Sequence, residues 1–484
     1  MHVSDIKRFL RCPRLYQLSL ETKTKFHLYF NISTDIDESI AKKLNIEKYY
    51  VGITNQESSD TLLVANNYNW IFKARFSYNG LRIRVPLLYV DGNNCDVYSI
   101  VLSTQALENE GNNMAYTKYV LEGNGLKINN YYILFLNKDY VYKDKLDDDK
   151  LWILTDHFIK DGRKMGNIHE YVDNISLNLD EIIYQMNKFE FALPIRTSKC
   201  TSRNRCPFYE DCFPLEKIIN NNSILTLVSS KYKYDMLNDG IRYLKDADLD
   251  RVEGNKVQMA QIKADRNNGL YVDEKALKKW YGQLELPISF IDFEWDLFPI
   301  PPYNDMKVMD VLLFQYSLHV YDGKKLSHFE FLGEGDSREE IAISLLENIP
   351  KKGSVIAYNA TGAEKIRIKE LANYFPQYSD RLLKINDRLI DMAIPFVTGL
   401  VYDTRMRGSF TLNTIENMLD EKHSYDDLEV SDGMKAVEIY REMIICQDEI
   451  QKQEYKKQLL EYCGLDTYSL YKIYKWLNKI LSDR

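Results

Sequence analysis

The chain has 484 residues and no long apolar run. No segment approaches the roughly 20 apolar residues of a membrane-spanning helix, so no membrane partner is expected. The opening stretch, MHVSDIKRFLRCPRLYQLSL, carries charges throughout and lacks the apolar core of a signal peptide. A cytoplasmic protein is therefore the expectation. A dominant charge sign is also missing: 63 Lys and Arg stand against 71 Asp and Glu, a formal net charge of -8. No global basic field announces nucleic acid, yet an acidic metal site beside a local basic cleft stays compatible with it. Histidine is scarce, seven in all, with no two at metal-binding spacing, and there is no glycine-rich phosphate loop, internal repeat or low-complexity tract. Seven cysteines in such a chain point to free, metal-bound or cluster-bound thiols rather than disulfides.

What is present divides into three parts, read as an α/β multi-domain protein. Residues 1–222 open with one helix, Ser4 to Leu20, with Ser4 as its N-cap. The alternating runs WIFKARFSYNG, LRIRVPLLYVDG and CDVYSIVLST, punctuated by turn residues, predict an antiparallel meander. A helix over Ala115 to Leu121 and a strand, YYILFL, follow. Residues 223–284 read as a polar, helical connector with little chemistry of its own. In residues 285–484, ISFIDFEW is a strand and two more strands flank Asp322 and Gly323. Ser337 and Glu340 have the spacing of a capping box before a helix. SVIAYN, GAEKIRIKELANYF and RLID then read as strand, helix and strand. Three meandering strands followed by alternating helices and strands is the element order of an RNase H-like fold.

Chemistry enters with acids in apolar settings. Side chains alternate across a strand, so Phe290, Asp292 and Glu294 share one face while Ile291, Phe293 and Trp295 share the other. Two carboxylates about 7 Å apart on one face suit a shared cation; a strand end reaching solvent is the plainer alternative. The last helix carries Leu459, Cys463, Asp466, Leu470, Ile473, Leu477 and Ile480 at steps of four and three, a buried stripe with one acid. Tyr462 projects from the same side one turn before Asp466. A divalent metal would explain costly inward acids on two unrelated segments.

FIDFEW resembles the first motif of the DEDD exonucleases, and YCGLDT their third motif in its Tyr form. Between them AYNATGAEKIRIKEL takes the place of the second motif, with Asn359 and Glu364 in its roles; the usual acid is Asp at closer spacing, and Asp391 in RLIDMAIPF is a rival. The resemblance implies two Mg²⁺ or Mn²⁺ ions: Asp292 would bridge them, Glu294 and Asp466 would hold the one that activates water, Glu364 would help hold the other, and Tyr462 would orient the water. Hard carboxylate ligands suit these ions. Lys365, Arg367, Arg388, Arg405 and Arg407 are candidate phosphate contacts, and Trp295 and Phe314 candidate base-stacking surfaces, each weighed against an ordinary surface or core role.

Cys12 and the C-x5-C-x5-C tail of Cys200, Cys206 and Cys212 form a second candidate metal set. Spacing alone leaves zinc, an iron–sulfur cluster and free thiols open. One early cysteine and three late ones resemble the layout of AddB-like and RecB-type iron–sulfur nucleases, which implies a [4Fe–4S] cluster, with zinc second, and a PD-(D/E)xK-type domain. The whole chain resembles bacterial proteins fusing such a domain to a DEDDy exonuclease. The nuclease motif itself is broken, since Pro86, Ser99, Val101 and Thr117 stand at its Asp, Glu, Lys and Gln positions. The expected function is a metal-dependent 3'-5' exonuclease acting on DNA or RNA, with an inactive N-terminal lobe. The rivals are a non-catalytic nucleic-acid-binding scaffold, and an endonuclease working through that lobe.

Overall fold

The computed structural model describes residues 1–22, 30–32, 34–200, 206–214, 222–252, 254–419, 429–430 and 432–483. They form two units, Met1–Lys217 with Leu297–Asp310, and Ile218–Asp296 with Val311–Arg484. Both mix helices with sheets, as expected of an α/β chain.

In the first unit, β1 (Tyr49–Val51), β2 (Trp70–Tyr78), β3 (Leu81–Asp91), β4 (Asn94–Val101), β5 (Lys127–Leu136) and β6 (Trp152–Thr155) form one sheet in that order. Asn79 and Gly80 take left-handed backbone (φ 46° and 80°), which closes the β2–β3 hairpin, and Gly92 (φ 58°) turns β3 into β4. The predicted meander is present, and β5 then runs parallel to β4. The hairpin β7 (His157–Lys160) and β8 (Arg163–Asn167) follows. Pairing skips Lys73 and Pro86, because proline offers the ladder no N–H. The last registered pair between β3 and β4 is Leu87 with Tyr98, beyond which the two strands splay.

The opening helix differs from expectation. It is two helices, α1 (Val3–Arg11) and α2 (Pro13–Glu21), broken at Cys12, whose extended backbone (φ -167°, ψ 119°) is what a residue before proline prefers. The N-cap is His2, not Ser4, and Asp5 reaches back to accept the His2 N–H at 2.8 Å. The helix around Ala115 is longer than predicted: α3 spans Glu108–Gly123. Ile300 and Val308, in the Leu297–Asp310 segment that belongs to this unit, are buried in its core.

In the second unit a small antiparallel pair, β9 (Leu270–Val272) with β15 (Val401–Asp403), stands apart from a five-stranded sheet. That sheet contains β10 (Ile288–Phe298), β11 (Asp310–Tyr321), β12 (Leu326–Leu332), β13 (Val355–Ala357) and β14 (Leu389–Asp391), in the order β12-β11-β10-β13-β14. β11 and β12 are antiparallel, while β10, β13 and β14 are parallel. Helices α4 (Arg338–Asn348) and α5 (Glu364–Tyr374) precede and follow β13. Ser337 stands at the N-cap of α4, but its side chain makes no capping bond; it packs against Gly333 instead. α6 (Gly433–Ile445) and the long α7 (Glu449–Ser482) end the chain. Residues 223–284 are only partly helical: besides short 3₁₀ turns they carry helices Lys233–Asn238, Lys256–Arg266 and Glu274–Tyr281, and they enclose Leu227, Met236, Leu244 and Ile262.

Strand alternation divides β10 between two cores. Phe290 packs with Leu470, Ile473 and Leu477 of α7, whereas Ile291 and Phe293 pack with Leu345 of α4 and Ile368 of α5. Burying a large aliphatic or aromatic side chain contributes about 1.5–3 kcal/mol, so each face holds its helix independently of the acids between them.

Candidate metal centre

Asp292 and Glu294 project from β10 toward α7, and Asp466 projects from α7 toward them. One carboxylate oxygen from each lies within 4.8 Å of the others. Among the described residues no other three metal-ligating groups converge so closely. Glu294 and Asp466 are 8% and 7% exposed. Asp292 as a residue is half-buried, but its carboxyl is enclosed by protein. At this separation each pair of like charges costs about 3 kcal/mol or more even at an effective dielectric of 20. Burial foremost, and then Asp466, hold the Asp292 and Glu294 carboxyls well above the usual carboxylate range.

The α7 stripe that places Asp466 is buried as its period requires. The register of α7 on the sheet is pinned by polar contacts: Gln315 Nε2 donates to the Leu459 carbonyl at 2.8 Å, and the Ser317 and Thr467 hydroxyls meet at 2.7 Å. Thr467 also meets His319 Nδ1 at 2.8 Å, while Ser317 meets His328 Nε2 at 2.9 Å. Sequence spacing hid this histidine pair, because the β11–β12 hairpin brings the two into register. Their rings stack 4.2 Å apart at 12°, an arrangement that fastens the helix rather than chelating an ion.

Glu364, the first residue of α5, is 2% exposed, and its Oε2 has no hydrogen-bond partner. It lies outside the tight group of three, although its charge reaches all of them. Burial first pushes it up to about 7; its own backbone N–H opposes the shift and Asp391 adds to it. The rival Asp391 is already engaged, since its Oδ1 accepts the backbone N–H groups of Asn359 (3.0 Å) and Ala393 (2.9 Å). Asn359 is exposed in a left-handed conformation (φ 54°) at the junction after β13. Of the two candidates for the fourth acid, Glu364 is the one with a buried oxygen left unbonded.

Tyr462 is buried with Phe314 and Tyr440. Phe314 is 0% exposed and stacks on Tyr440 at 3.8 Å, so the stacking role proposed for it fails: it is core. Trp295 faces the opposite side of β10 and lies under Arg367 at 5.1 Å. Arg367 also pairs with Glu370 at 2.9 Å, and its neighbour Lys365 is half-buried at the start of α5. Arg388 donates to the carbonyls of Gly353 and Pro350, and Arg405 pairs with Asp403 at 2.8 Å, so both serve the fold. Arg407 is exposed in a left-handed turn (φ 49°).

Cys463 was given no role by its place on the α7 stripe, yet its Sγ lies 3.6 Å from Asp292 Oδ2. Burial and the Asp292 charge push this thiol up, so it stays protonated and donates to the carboxylate. Only its position three residues before Asp466, on the same stripe, hinted at the contact.

In the first unit Cys12, Cys200, Cys206 and Cys212 all line one small cavity, with Arg11 and Arg14 at its edge. No three of their sulfurs come within 4.8 Å of one another. Burial foremost raises the thiols of Cys206 and Cys212. Elsewhere in that unit the splayed ends of β3 and β4 open a cleft of about 370 Å³ lined by Pro86, Ser99 and Thr117, three of the broken-motif positions.

No curated protein and no solved structure matches the chain. A domain of unknown function, DUF2779, matches residues 289–411, a stretch that contains Asp292, Glu294 and Glu364 and ends before Tyr462 and Asp466.

Proposed function

We propose that the second unit is a metal-dependent 3'-5' exonuclease of the DEDDy kind, acting on DNA or RNA. The carrying observation is the meeting of Asp292, Glu294 and Asp466, drawn from segments more than 150 residues apart, with burial and like charges acting on the Asp292 and Glu294 carboxyls. The orphaned Glu364 oxygen beside them fits a fourth ligand. The strand order, with β10 central and α7 across one face, supports an RNase H-like reading. The 3'-5' polarity rests on the motif resemblance.

The donor set is all hard oxygen, which suits Mg²⁺ or Mn²⁺ over softer ions. Bound there, two such ions would supply the positive charge that offsets the attacking and leaving oxygens of a phosphodiester. Asp292, Glu294, Asp466 and Glu364 would hold them. The Cys463 thiol fixes the Asp292 carboxylate, and the Tyr462 hydroxyl orients the attacking water. Trp295 and Arg367 brace β10 from its other face.

The test is a time course on end-labelled single strands of DNA and RNA with free or blocked 3' ends, in Mn²⁺ or EDTA. Stepwise shortening from free 3' ends only, stopped by EDTA, is the expected result. Binding without shortening in Mn²⁺ overturns it and leaves the scaffold reading.

The first unit, on the same reading, is a nuclease-like lobe that holds an iron–sulfur cluster and has lost catalysis. A mononuclear zinc site puts its sulfurs about 3.8 Å apart, from bonds near 2.3 Å at tetrahedral angles. A [4Fe–4S] cluster interposes iron and sulfide and spaces them wider, which agrees better with four cysteines around one cavity and no three close together. Anaerobically purified protein should be brown, bleach with dithionite and carry about four irons per chain. A colourless protein with stoichiometric zinc would refute the cluster.

A further inference from the structure

We propose that the cleft between β3 and β4, with the arginines beside it, holds the phosphodiester backbone of a nucleic-acid strand without cutting it. The inference shares with the proposed function only the class of ligand, and it concerns the first unit alone.

Arg75 of β2 and Arg84 of β3 are direct cross-strand partners. Like charges in that relation destabilise a sheet. Among the described residues neither guanidinium has a carboxylate or carbonyl partner, and the Nε of Arg75 is buried without one. Partial burial, then the charge of Arg84, hold Arg75 below the usual guanidinium value. Arg82, two residues before Arg84 on the same face, has only a long 3.9 Å contact with an exposed Glu57, the kind of pair that contributes little. A compensating anion is therefore expected from outside the protein.

Arg82 and Arg84 both line the cleft of about 370 Å³. They sit about 7 Å apart along the strand, comparable with the spacing of successive phosphates, so a strand with repeated charges fits better than a single anion. The cleft adds the Thr117 hydroxyl as a donor. Its one acid, Glu110, is occupied by Ser99 (3.2 Å), Asn109 (3.0 Å) and Asn113 (3.4 Å). Pro86, Ser99 and Val101 supply neither the carboxylates nor the lysine that hydrolysis would need, so the cleft can hold a strand but not cut it.

The full chain in EDTA, titrated with labelled single-stranded DNA and RNA over a range of KCl, tests this with the metal centre silent. Arg84→Ala, at an exposed position, and Arg75→Ala/Arg84→Ala should weaken binding about tenfold or more. Each phosphate contact removed should lower the slope of log K against log salt by about 0.7. Arg75→Lys/Arg84→Lys should keep most of the slope. Hydrolysis in Mn²⁺ of the p-nitrophenyl ester of thymidine monophosphate, which offers no strand of repeated phosphates, should be unchanged in all three variants. Unchanged affinity and slope in Arg84→Ala would overturn the proposal. Competition by a mononucleotide or inorganic phosphate as strong as by the oligonucleotide would also overturn it, in favour of a small phosphate ligand. A chain that binds strands through these arginines and never shortens them keeps this inference while removing the exonuclease.

Discussion

In metal-free buffer, Asp292→Asn should melt at a higher temperature than the parent and yet shorten no strand when Mn²⁺ is restored. Three buried carboxylates within 4.8 Å of one another disfavour the folded state whenever more than one is ionised. Asn keeps the shape and an oxygen for the Cys463 thiol, and removes one charge. At mildly alkaline pH the relief should be of order 2 kcal/mol, read by thermal or urea unfolding. The sign of the pH dependence follows from the same groups. Asp292 and Glu294 are raised in the folded chain, and Glu364 is raised to about 7. The folded state therefore holds protons that the unfolded state releases from about pH 4 upward. Metal-free parent protein should lose stability as pH rises through that range to about 7 and beyond, the reverse of an ordinary salt-bridged acid, and Mn²⁺ should restore it. Activity of the Asn variant should fall by at least ~10²–10³-fold, the scale on which losing one preorganised charge-stabilising group acts. If the Asn variant melts lower than the parent without metal, the acids are compensated within the protein and the metal reading loses its carrying observation.

Arg441→Leu should destabilise the second unit by about 3–5 kcal/mol, the cost of leaving a buried charge without its partner. Asp296, two residues beyond Glu294 on β10, is 0% exposed. Arg441 of α6 grips it with both ends of its guanidinium, Nε to Oδ2 at 3.0 Å and Nη2 to Oδ1 at 2.6 Å. A planar fork meeting a carboxylate in this way is not replaced by lysine, so Arg441→Lys should recover only part of the loss. Asp296→Leu/Arg441→Leu should recover more, because both charges leave together. The pair also locates α6, whose Gly433 lies against the metal centre: an added Cβ there would be 3.8 Å from Glu294 Oε2. Urea unfolding followed on the second unit's transition measures the effect. A loss below about 1 kcal/mol would mean that Asp296 is solvated when Arg441 is gone.

Much of this site is legible in the sequence. The face shared by Asp292 and Glu294 follows from strand alternation, and the inward turn of Asp466 from the α7 stripe; both are borne out by burial and distance. The meander in the first unit followed from turn residues at Asn79, Gly80 and Gly92. Errors arose where a local signal met a stronger neighbour. Ser4 has the chemistry of an N-cap, but α1 starts earlier, and Pro13 splits what looked like one helix. Ser337 and Glu340 have capping-box spacing, yet the Ser337 hydroxyl packs against Gly333. Of the two roles weighed for Phe314, base stacking and core, the structure has the core one, with its ring against Tyr440.

Taken alone, the sequence determined which way each acid points, because side-chain direction is a property of the local backbone and repeats every two residues in a strand and every three to four in a helix. Only the tertiary structure decided which inward groups meet. It brought Asp466 to Asp292, set Cys463 on that carboxylate, left the Glu364 Oε2 without a hydrogen bond while Asp391 accepts two, stacked His319 on His328, gathered four cysteines around one cavity and set Arg75 beside Arg84. The physical reason is that distances between remote segments depend on strand register and on how far each helix slides across its sheet. Those quantities are fixed by packing of the whole core, and no local period encodes them.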